Sequence, residues 1–469
     1  MKTDFGIIGM AVMGQNLALN VESKGYSVSV YNRSESRTRQ FVEERAREKD
    51  IVPTYELSEF VNSLERPRKV LLMIKAGAPV DKVISQLTPL MDEGDVILDG
   101  GNSNFQDTNR RLEEVNSEGI LYLGTGISGG EYGARHGPSI MPGGNEEAYE
   151  IVGDVLEAAA AQITEGPCCT YLGPRSAGHY VKMVHNGIEY GVMESISEAY
   201  WLMDKGLNMK PEEMSSTFES WNEELDSYLM EITAPILREK DEETGKPLIN
   251  LILDTAEQKG TGKWTAKNAL ELGVPVPTIT AAVDSRFVSS RKEERKRNAD
   301  KFLPEGPSRL SETGDWLTRI RDALYLSTVS SYAQGIYLLK VASEEYEYNL
   351  NLNEVARIWK DGCIIRSNLL GDIQKGLRID SENPNLLFVE PFLSQLKDKI
   401  KPTRKLLAEG REAGIALPAM SSSLDYLIGF SSADLPANMI QAQRDFFGAH
   451  TYQRRDKEGY FHTQWKSQN

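Results

Sequence analysis

Three cysteines in 469 residues, Cys168, Cys169 and Cys363, offer an adjacent pair and no C-x-x-C. That excludes a disulfide framework and a zinc knuckle, and it fits a reducing cytosol. Histidine is nearly as scarce. His136, His179, His185, His450 and His462 contain no H-E-x-x-H, and His179 and His185 stand six apart, a poor ligand spacing, so no metal is expected. No apolar run reaches the length of a membrane span, and the first residues lack the basic region of a secretory signal, so the chain is expected to be neither secreted nor membrane-inserted. Positive charge is outnumbered: 53 Lys and Arg against 69 Asp and Glu leave a net charge of −16. Such a surface repels nucleic acid and anionic membrane, so an anionic ligand has to be met by individually placed cations. With 40% hydrophobic and 26% charged residues the chain reads as globular, and its length implies two or three domains.

What is present begins with the apolar run Phe5-Gly6-Ile7-Ile8, which feeds Gly9-Met10-Ala11-Val12-Met13-Gly14. A helix is expected from about Gln15 to Ser23 and a second strand over residues 26–31. This is a G-x-A-x-x-G dinucleotide fingerprint in its strand, turn and helix setting. The first glycine makes the tight turn, the small residue admits a pyrophosphate, and the last glycine lets the helix pack closely. Where the second strand ends, an NAD enzyme places Asp or Glu for the ribose 2′-hydroxyl, whereas this chain has Asn32-Arg33-Ser34. A guanidinium and a hydroxyl suit a 2′-phosphate, so the expected cofactor is NADP. Glu35 follows slightly late, and a solvated loop arginine is the plainer reading of Arg33.

Two continuous apolar runs, residues 69–77 and 95–102, read as buried parallel strands whose carboxyl ends open onto the ligand crevice. Ile74, Lys75, Ala76 and Asn102 then lie near the nicotinamide side. Residues 121–130 add a strand and the loop Ser128-Gly129-Gly130, whose N–H groups and hydroxyl suit a carboxylate, although ordinary turns use the same glycines.

Beyond Gly173-Pro174 helical periodicity takes over. The expected architecture is an α/β Rossmann-type N-terminal domain over 1–177, a large all-α domain over 178–434 and a short C-terminal tail over 435–469. The first stretch past that boundary runs from Gly178 to Val192. Coiled at about 100° per residue, it gathers Lys182, His185, Asn186, Glu189 and Tyr190 within an arc of about 140°. Val181, Val184, Ile188 and Val192 fill the other side. Four aliphatics suffice to dock the helix, so the remaining face is free for use, and it carries a base, an acid and several hydrogen-bonding groups. The same spacing also fits a water-facing helix. Further on, Ser197-Glu198-Ala199-Tyr200 and Ser343-Glu344-Glu345-Tyr346 form a weak internal echo of two helical halves.

Residues 258–265, Gln-Lys-Gly-Thr-Gly-Lys-Trp-Thr, superficially follow a phosphate loop, but Glu257 occupies the first Walker glycine position and Trp264 the hydroxyl position, which excludes a nucleoside triphosphate site. Lys259 and Thr261 with exposed amides still suit a phosphomonoester, with Arg286 as a partner. Arg291 to Arg297, interleaved with Glu293 and Glu294, reads as a solvated face. The aromatic tail from residue 435 is expected to dock on a second subunit rather than trail in solvent.

Taken together, Gly9 to Gly14, Asn32 to Ser34, Asp99-Gly100-Gly101-Asn102, Ser128 to Gly130, the Lys182 to Tyr190 helix, Lys259 to Thr265 and Arg444 to His450 resemble the decarboxylating 6-phosphogluconate dehydrogenases, within the larger group of β-hydroxyacid dehydrogenases. The likeness runs over essentially the whole chain. It implies an NADP-dependent oxidative decarboxylation of 6-phosphogluconate to ribulose 5-phosphate in the cytoplasm, by a homodimer. It further implies that Lys182 is the general base and acid, that Glu189 is the final proton donor, and that Asn102, Ser128, His185, Asn186 and Tyr190 contact the sugar acid. Lys259, Arg286, Arg444 and His450 would complete the phosphate side, the last two from the neighbouring subunit. A short-substrate β-hydroxyacid dehydrogenase would leave Lys259, Arg286 and the basic tail without a purpose, and a noncatalytic NADP-binding scaffold would leave the helix face without one.

Overall fold

The computed structural model describes residues 2–302, 305–311, 314–381, 383 and 385–465. Its N-terminal part is a seven-stranded sheet in the order β3-β2-β1-β4-β5-β6-β7. The strands are β1 (Phe5–Ile8), β2 (Val28–Tyr31), β3 (Ile51–Thr54), β4 (Lys69–Leu72), β5 (Val96–Asp99), β6 (Leu121–Ser128) and β7 (Ser139–Gly144). All neighbours pair in parallel except β7, which runs antiparallel to β6. Because side chains alternate between faces, the unbroken apolar runs bury both sides of the sheet. Ile7, Val30, Leu71, Val96, Leu98 and Leu123 join one core with the helices Val12–Ser23 and Glu146–Ala159. Ile8, Val70, Leu72, Ile97 and Tyr122 join the other with Leu57–Asn62 and Ala78–Leu87.

The strands expected over 69–77 and 95–102 are only four residues long. The last sheet bonds of these segments are Met73 N–H to the Ile8 carbonyl at 2.8 Å and Gly100 N–H to the Leu72 carbonyl at 3.0 Å. Past those bonds both segments turn away from the sheet, so 73–77 and 100–104 become loops at the carboxyl edge, while β6 continues to Ser128 beyond its last pair with β5 and stays paired with β7. The first helix begins at Val12, earlier than expected, with Ala11 in extended conformation as its cap.

The helical part is organised by two long helices, Ala177–Trp201 and Trp316–Glu345, packed against each other. Close approach depends on Gly335, where an added Cβ would stand 2.5 Å from Ile188, and on Gly191, where it would stand 2.4 Å from Ser331 Oγ. The two echo segments lie at the C-terminal ends of these two helices. Buried polar groups between the helices satisfy one another: Ser195 meets Ser327 at 2.6 Å, Ser327 meets Ser423 at 2.9 Å, and Ser423 meets Thr278 at 2.8 Å. Glu198, also buried, accepts the N–H groups of Ala419 and Met420 at 2.6 and 2.9 Å, at the start of the helix Pro418–Phe430.

The parts divided at residue 177 in the sequence reading form one compact unit, Met1–Ser423, and Leu424–Asn469 form a second. The first is continuous because Gly178 seats its helix directly on the sheet, within 2.6 Å of backbone atoms of Gly124, Met141 and Gly143 if a Cβ were added. In the second unit a helix, Ala437–Gly448, is followed by a two-stranded hairpin pairing Tyr452–Gln453 with Tyr460–Phe461. Asp445 holds this unit together, accepting from Thr451 N, His462 Nδ1, Thr463 N and Trp465 Nε1 at 2.8 to 3.0 Å. Burial opposes its charge, but the Thr463 amide, His462 and Trp465 outweigh that and hold the carboxyl at about 2.

Candidate active site

Gly9 takes φ +110° and an added Cβ would meet the Met73 carbonyl oxygen at 2.4 Å, while a Cβ on Gly14 would stand 1.9 Å from the Gly9 oxygen. Both fingerprint glycines are therefore required by sterics. Met10 N–H donates to Asn32 Oδ1 at 3.1 Å, tying the loop to the end of β2, and Ala11 and Val12 are exposed at the helix N-terminus. Met10 itself is buried and Met13 half-buried, so these two shape the loop from beneath. Asn32 also donates to the Ser34 carbonyl at 3.0 Å. Arg33 is exposed and makes no ion pair among the described residues, whereas Glu35 is bound by Arg39. The late carboxylate is thus engaged and the guanidinium is available, which fits a 2′-phosphate.

Lys75 and Asn102 are exposed on the two loops at the carboxyl edge, with Ile74 and Ala76 half-buried beside Lys75. Arg111, fully buried, fastens these loops together. It donates to Asp81 at 2.7 Å, Gly77 O at 3.0 Å, Ser103 Oγ at 3.1 Å and Asp99 at 3.2 Å.

The helix Ala177–Trp201 brings the chemistry to the same edge. Its polar face is buried: Lys182 is 5% exposed, His185 fully enclosed, Asn186 and Tyr190 buried, and Glu189 half-buried. A water-facing helix is thereby excluded. β6 leaves room for it, since Gly126 abuts the Lys182 side chain and an added Cβ would stand 2.4 Å from the Lys182 Cβ. Lys182 Nζ lies 3.4 Å from His185 Nδ1, which lies 3.0 Å from Asn186 Oδ1 and 4.0 Å from a Glu189 carboxylate oxygen. His185 Nε2 meets Ser128 Oγ at 3.1 Å. Burial pulls the Lys182 ammonium down to about 8, with Glu189 and Cys363 opposing it. Burial raises Glu189, against the pull of Lys182 and Arg286, and drives His185 well below its usual value. Gly129 and Gly130, both at positive φ, turn the chain out of β6 beside Ser128.

Farther along the helix face, Arg286 lies 3.5 Å above the Tyr190 ring and donates to the Glu257 carbonyl at 3.3 Å and to Met193 Sδ at 3.6 Å. All three partners are uncharged, and Arg286 makes no ion pair among the described residues. Gly260 at φ +99° starts the helix Thr261–Glu271, and Gly262 lies against Tyr190, where an added Cβ would come within 2.5 Å of the ring. Buried Thr261 and exposed Lys259 thus stand with Tyr190 and Arg286 at a helix N-terminus, a geometry suited to a phosphate. Arg291 and Arg297 are exposed, although Arg295 binds Asp254 at 2.9 Å. In the second unit Arg444 is exposed and donates to Gln441 at 3.1 Å, and His450 stands edge-on to Phe447. Arg454 and Arg455 are paired with Asp456 and Asp434, whereas Arg444 makes no ion pair among the described residues.

Sequence reading missed the segment Trp359–Ile364. It is sheltered under the site, with Ile364 N–H donating to Ser128 Oγ at 3.4 Å and Trp359 against His185. Gly362 at φ +66°, where an added Cβ would strike Gly137 O at 2.5 Å, was the available signal. Among the described residues no group of three or more His, Cys, Asp and Glu is arranged to hold a metal ion, and no helix is long and apolar enough to cross a membrane.

Residues 4–173 match the family model for the NAD binding domain of 6-phosphogluconate dehydrogenase, and residues 178–465 match that for its C-terminal domain. The chain belongs to the 6-phosphogluconate dehydrogenase family. It is 50% identical to the NADP(+)-dependent, decarboxylating 6-phosphogluconate dehydrogenase of Bacillus subtilis, covering 99% of each chain. To the decarboxylating enzyme of Synechococcus elongatus it is 51% identical, covering 98% of this chain and 99% of that one. The fold superposes on the Plasmodium falciparum 6-phosphogluconate dehydrogenase, solved in apo form and with NADP+ and 6-phosphogluconate, with a TM-score of 0.94 at 44% identity over 98% of this chain and 100% of that one.

Proposed function

We propose that this family member oxidatively decarboxylates 6-phosphogluconate with NADP, giving ribulose 5-phosphate and carbon dioxide. The observation that carries the reading is a buried lysine held near 8 on the same helix face as a carboxyl group held up by burial. Burial thus moves the amine and the carboxyl towards one another, the direction that general base and general acid work requires.

NADP, when bound by the Gly9 to Gly14 loop with Arg33 at its 2′-phosphate, supplies the acceptor for the hydride leaving C3. Neutral Lys182 takes the C3 hydroxyl proton as that hydride departs. The resulting β-keto acid can lose its carboxylate because the C3 carbonyl accepts the electron pair, and the Lys182 ammonium neutralises the forming enolate. Protonation of the carbon that lost the carboxylate, C1 of the ribulose product, needs a second acid, and Glu189, about two turns along the face, provides it. Ser128 with the Gly129 and Gly130 amides, Asn102, His185 and Asn186 hold the sugar acid, and Tyr190, Lys259, Thr261 and Arg286 hold its phosphate end.

The finer assembly belongs to the same reading: a homodimer in which Arg444 and His450 complete the neighbouring site. Phe447, 72% exposed, and Phe446, 58% exposed, line an apolar groove of about 430 Å³ with Met439 and Trp465 in the second unit, and a partner subunit would bury them. Three free cysteines, all buried, suit a cytoplasmic setting. The deciding assay supplies 6-phosphogluconate and NADP and follows reduced nicotinamide and carbon dioxide together. Equal yields are expected, and reduction without carbon dioxide would sink the decarboxylating reading.

A further inference from the structure

Trp359 caps the short helix Leu352–Ile358, and its fully buried indole meets the His185 imidazole at 77° with centroids 5.6 Å apart. The indole N–H donates to Met141 Sδ on β7 at 3.5 Å, so the ring is anchored to the sheet. The Cys363 thiol donates back to the Trp359 carbonyl at 3.0 Å, closing the segment on itself. One residue later, the Ile364 N–H reaches Ser128 Oγ. Both partners of the Ser128 to His185 hydrogen bond are therefore held by one segment, one through a main-chain N–H and the other through a ring contact.

The hydrogen-bond pattern then assigns the imidazole proton. Asn186 Oδ1 can only accept, so Nδ1 carries the hydrogen and Nε2 accepts the Ser128 hydroxyl. An Nδ1–H beside Lys182 Nζ favours the neutral amine, which can accept, over the ammonium, which cannot. The titratable groups facing Lys182 are Glu189 and His185 of its own helix and Cys363 of the Trp359 segment. β6 presents Gly126 and the Ser128 hydroxyl, and Arg286 of the helix Pro277–Ser289 acts on Glu189.

We propose that Trp359 is a positioning residue for the acid–base step: with the Ile364 amide it holds His185 in the orientation and tautomer that present Nδ1 to Lys182. This rests on the reading of Lys182 as the base. Loss of the indole plane frees the imidazole and admits water beside Lys182.

Two variants test it, Trp359→Met, which keeps an apolar side chain but no ring, and Trp359→Phe, which keeps a smaller ring and loses the N–H. For Trp359→Met, kcat with 6-phosphogluconate is expected to fall roughly tenfold while the Kd for NADP stays within about twofold. The low-pH limb of kcat/KM is expected to move upward by about one pH unit in Trp359→Met and about half of that in Trp359→Phe, because a hydrated lysine regains its ordinary basicity. A purely structural role lowers the melting temperature and the active fraction and leaves the limb in place. Limbs that coincide with wild type overturn the inference, and Trp359→Phe decides alone if Trp359→Met does not fold. Absence of wild-type turnover overturns the site reading and this inference with it, whereas wild-type turnover with unmoved limbs overturns the inference alone.

Discussion

Lys182 Nζ and His185 Nδ1 stand 3.4 Å apart inside the protein, one turn apart on a single helix. The same imidazole nitrogen lies 4.0 Å from Glu189, so His185 sits between the groups proposed as base and acid. Neither basic group is at its solution value, and burial is the principal cause for both.

Lys182→Met is expected to abolish turnover while leaving NADP binding nearly intact, since the proposed role of the lysine lies in the chemical step. It should also stabilise the fold. The drop from 10.5 to about 8 corresponds to roughly 3 kcal/mol of penalty for holding the charged lysine, full below pH 8 and relieved as pH rises towards 10.5. Chemical denaturation at pH 7 checks this, and an unchanged or lower stability removes the burial account. Glu189→Gln is expected to be milder and to slow the late protonation most, seen as carbon dioxide release running ahead of ribulose 5-phosphate formation in single turnover.

Arg33→Asp is expected to shift preference from NADP towards NAD. A carboxylate repels the 2′-phosphate and accepts hydrogen bonds from a ribose hydroxyl. The measurement is the ratio of kcat/KM for the two cofactors. If the ratio does not move, Arg33 is an ordinary surface arginine.

Mixed dimers of Lys182→Met and His450→Ala chains are expected to recover activity, since a tail acting on the neighbouring subunit leaves one site intact and one doubly damaged. Random pairing makes about half of the dimers mixed, so roughly a quarter of wild-type activity should return. No recovery would place the tail's contribution in its own subunit.

Glu198 concerns stability rather than turnover. Burial pushes its carboxyl up to about 8, against the pull of the Met420 and Ala419 amides. Since the folded chain holds this proton more tightly than the unfolded one, with its ordinary value of 4.5, the contribution to stability is present below about pH 4.5 and lost as pH rises through 8. Glu198→Gln should therefore flatten the fall of the melting temperature between those limits. Parallel curves for variant and wild type would show that Glu198 does not titrate in that window.

The sequence by itself determined the sheet-bearing start, the fingerprint loop and the composition of the site helix, because each rests on local rules: glycine sterics, alternating burial and a fixed angle per residue. It could also place Arg286 and Lys259 as spare cations on an acidic chain. Tertiary structure alone decided that the polar face of the Lys182 helix is buried, since periodicity reports which side is apolar and is silent on what covers the other. It decided the short strands as well, since where the chain leaves the sheet depends on pairing and packing across the fold and not on the apolar run alone. The Trp359 to Ile364 segment lies more than 170 residues along the chain from His185 and bears no catalytic side chain of its own. Its part in the site consists of an amide, a carbonyl and a ring placed by packing, and no spacing rule reaches across that distance. The shift of Lys182 belongs to the same class: the residue type supplies an amine, and only the protein packed around it removes the water that would keep it charged.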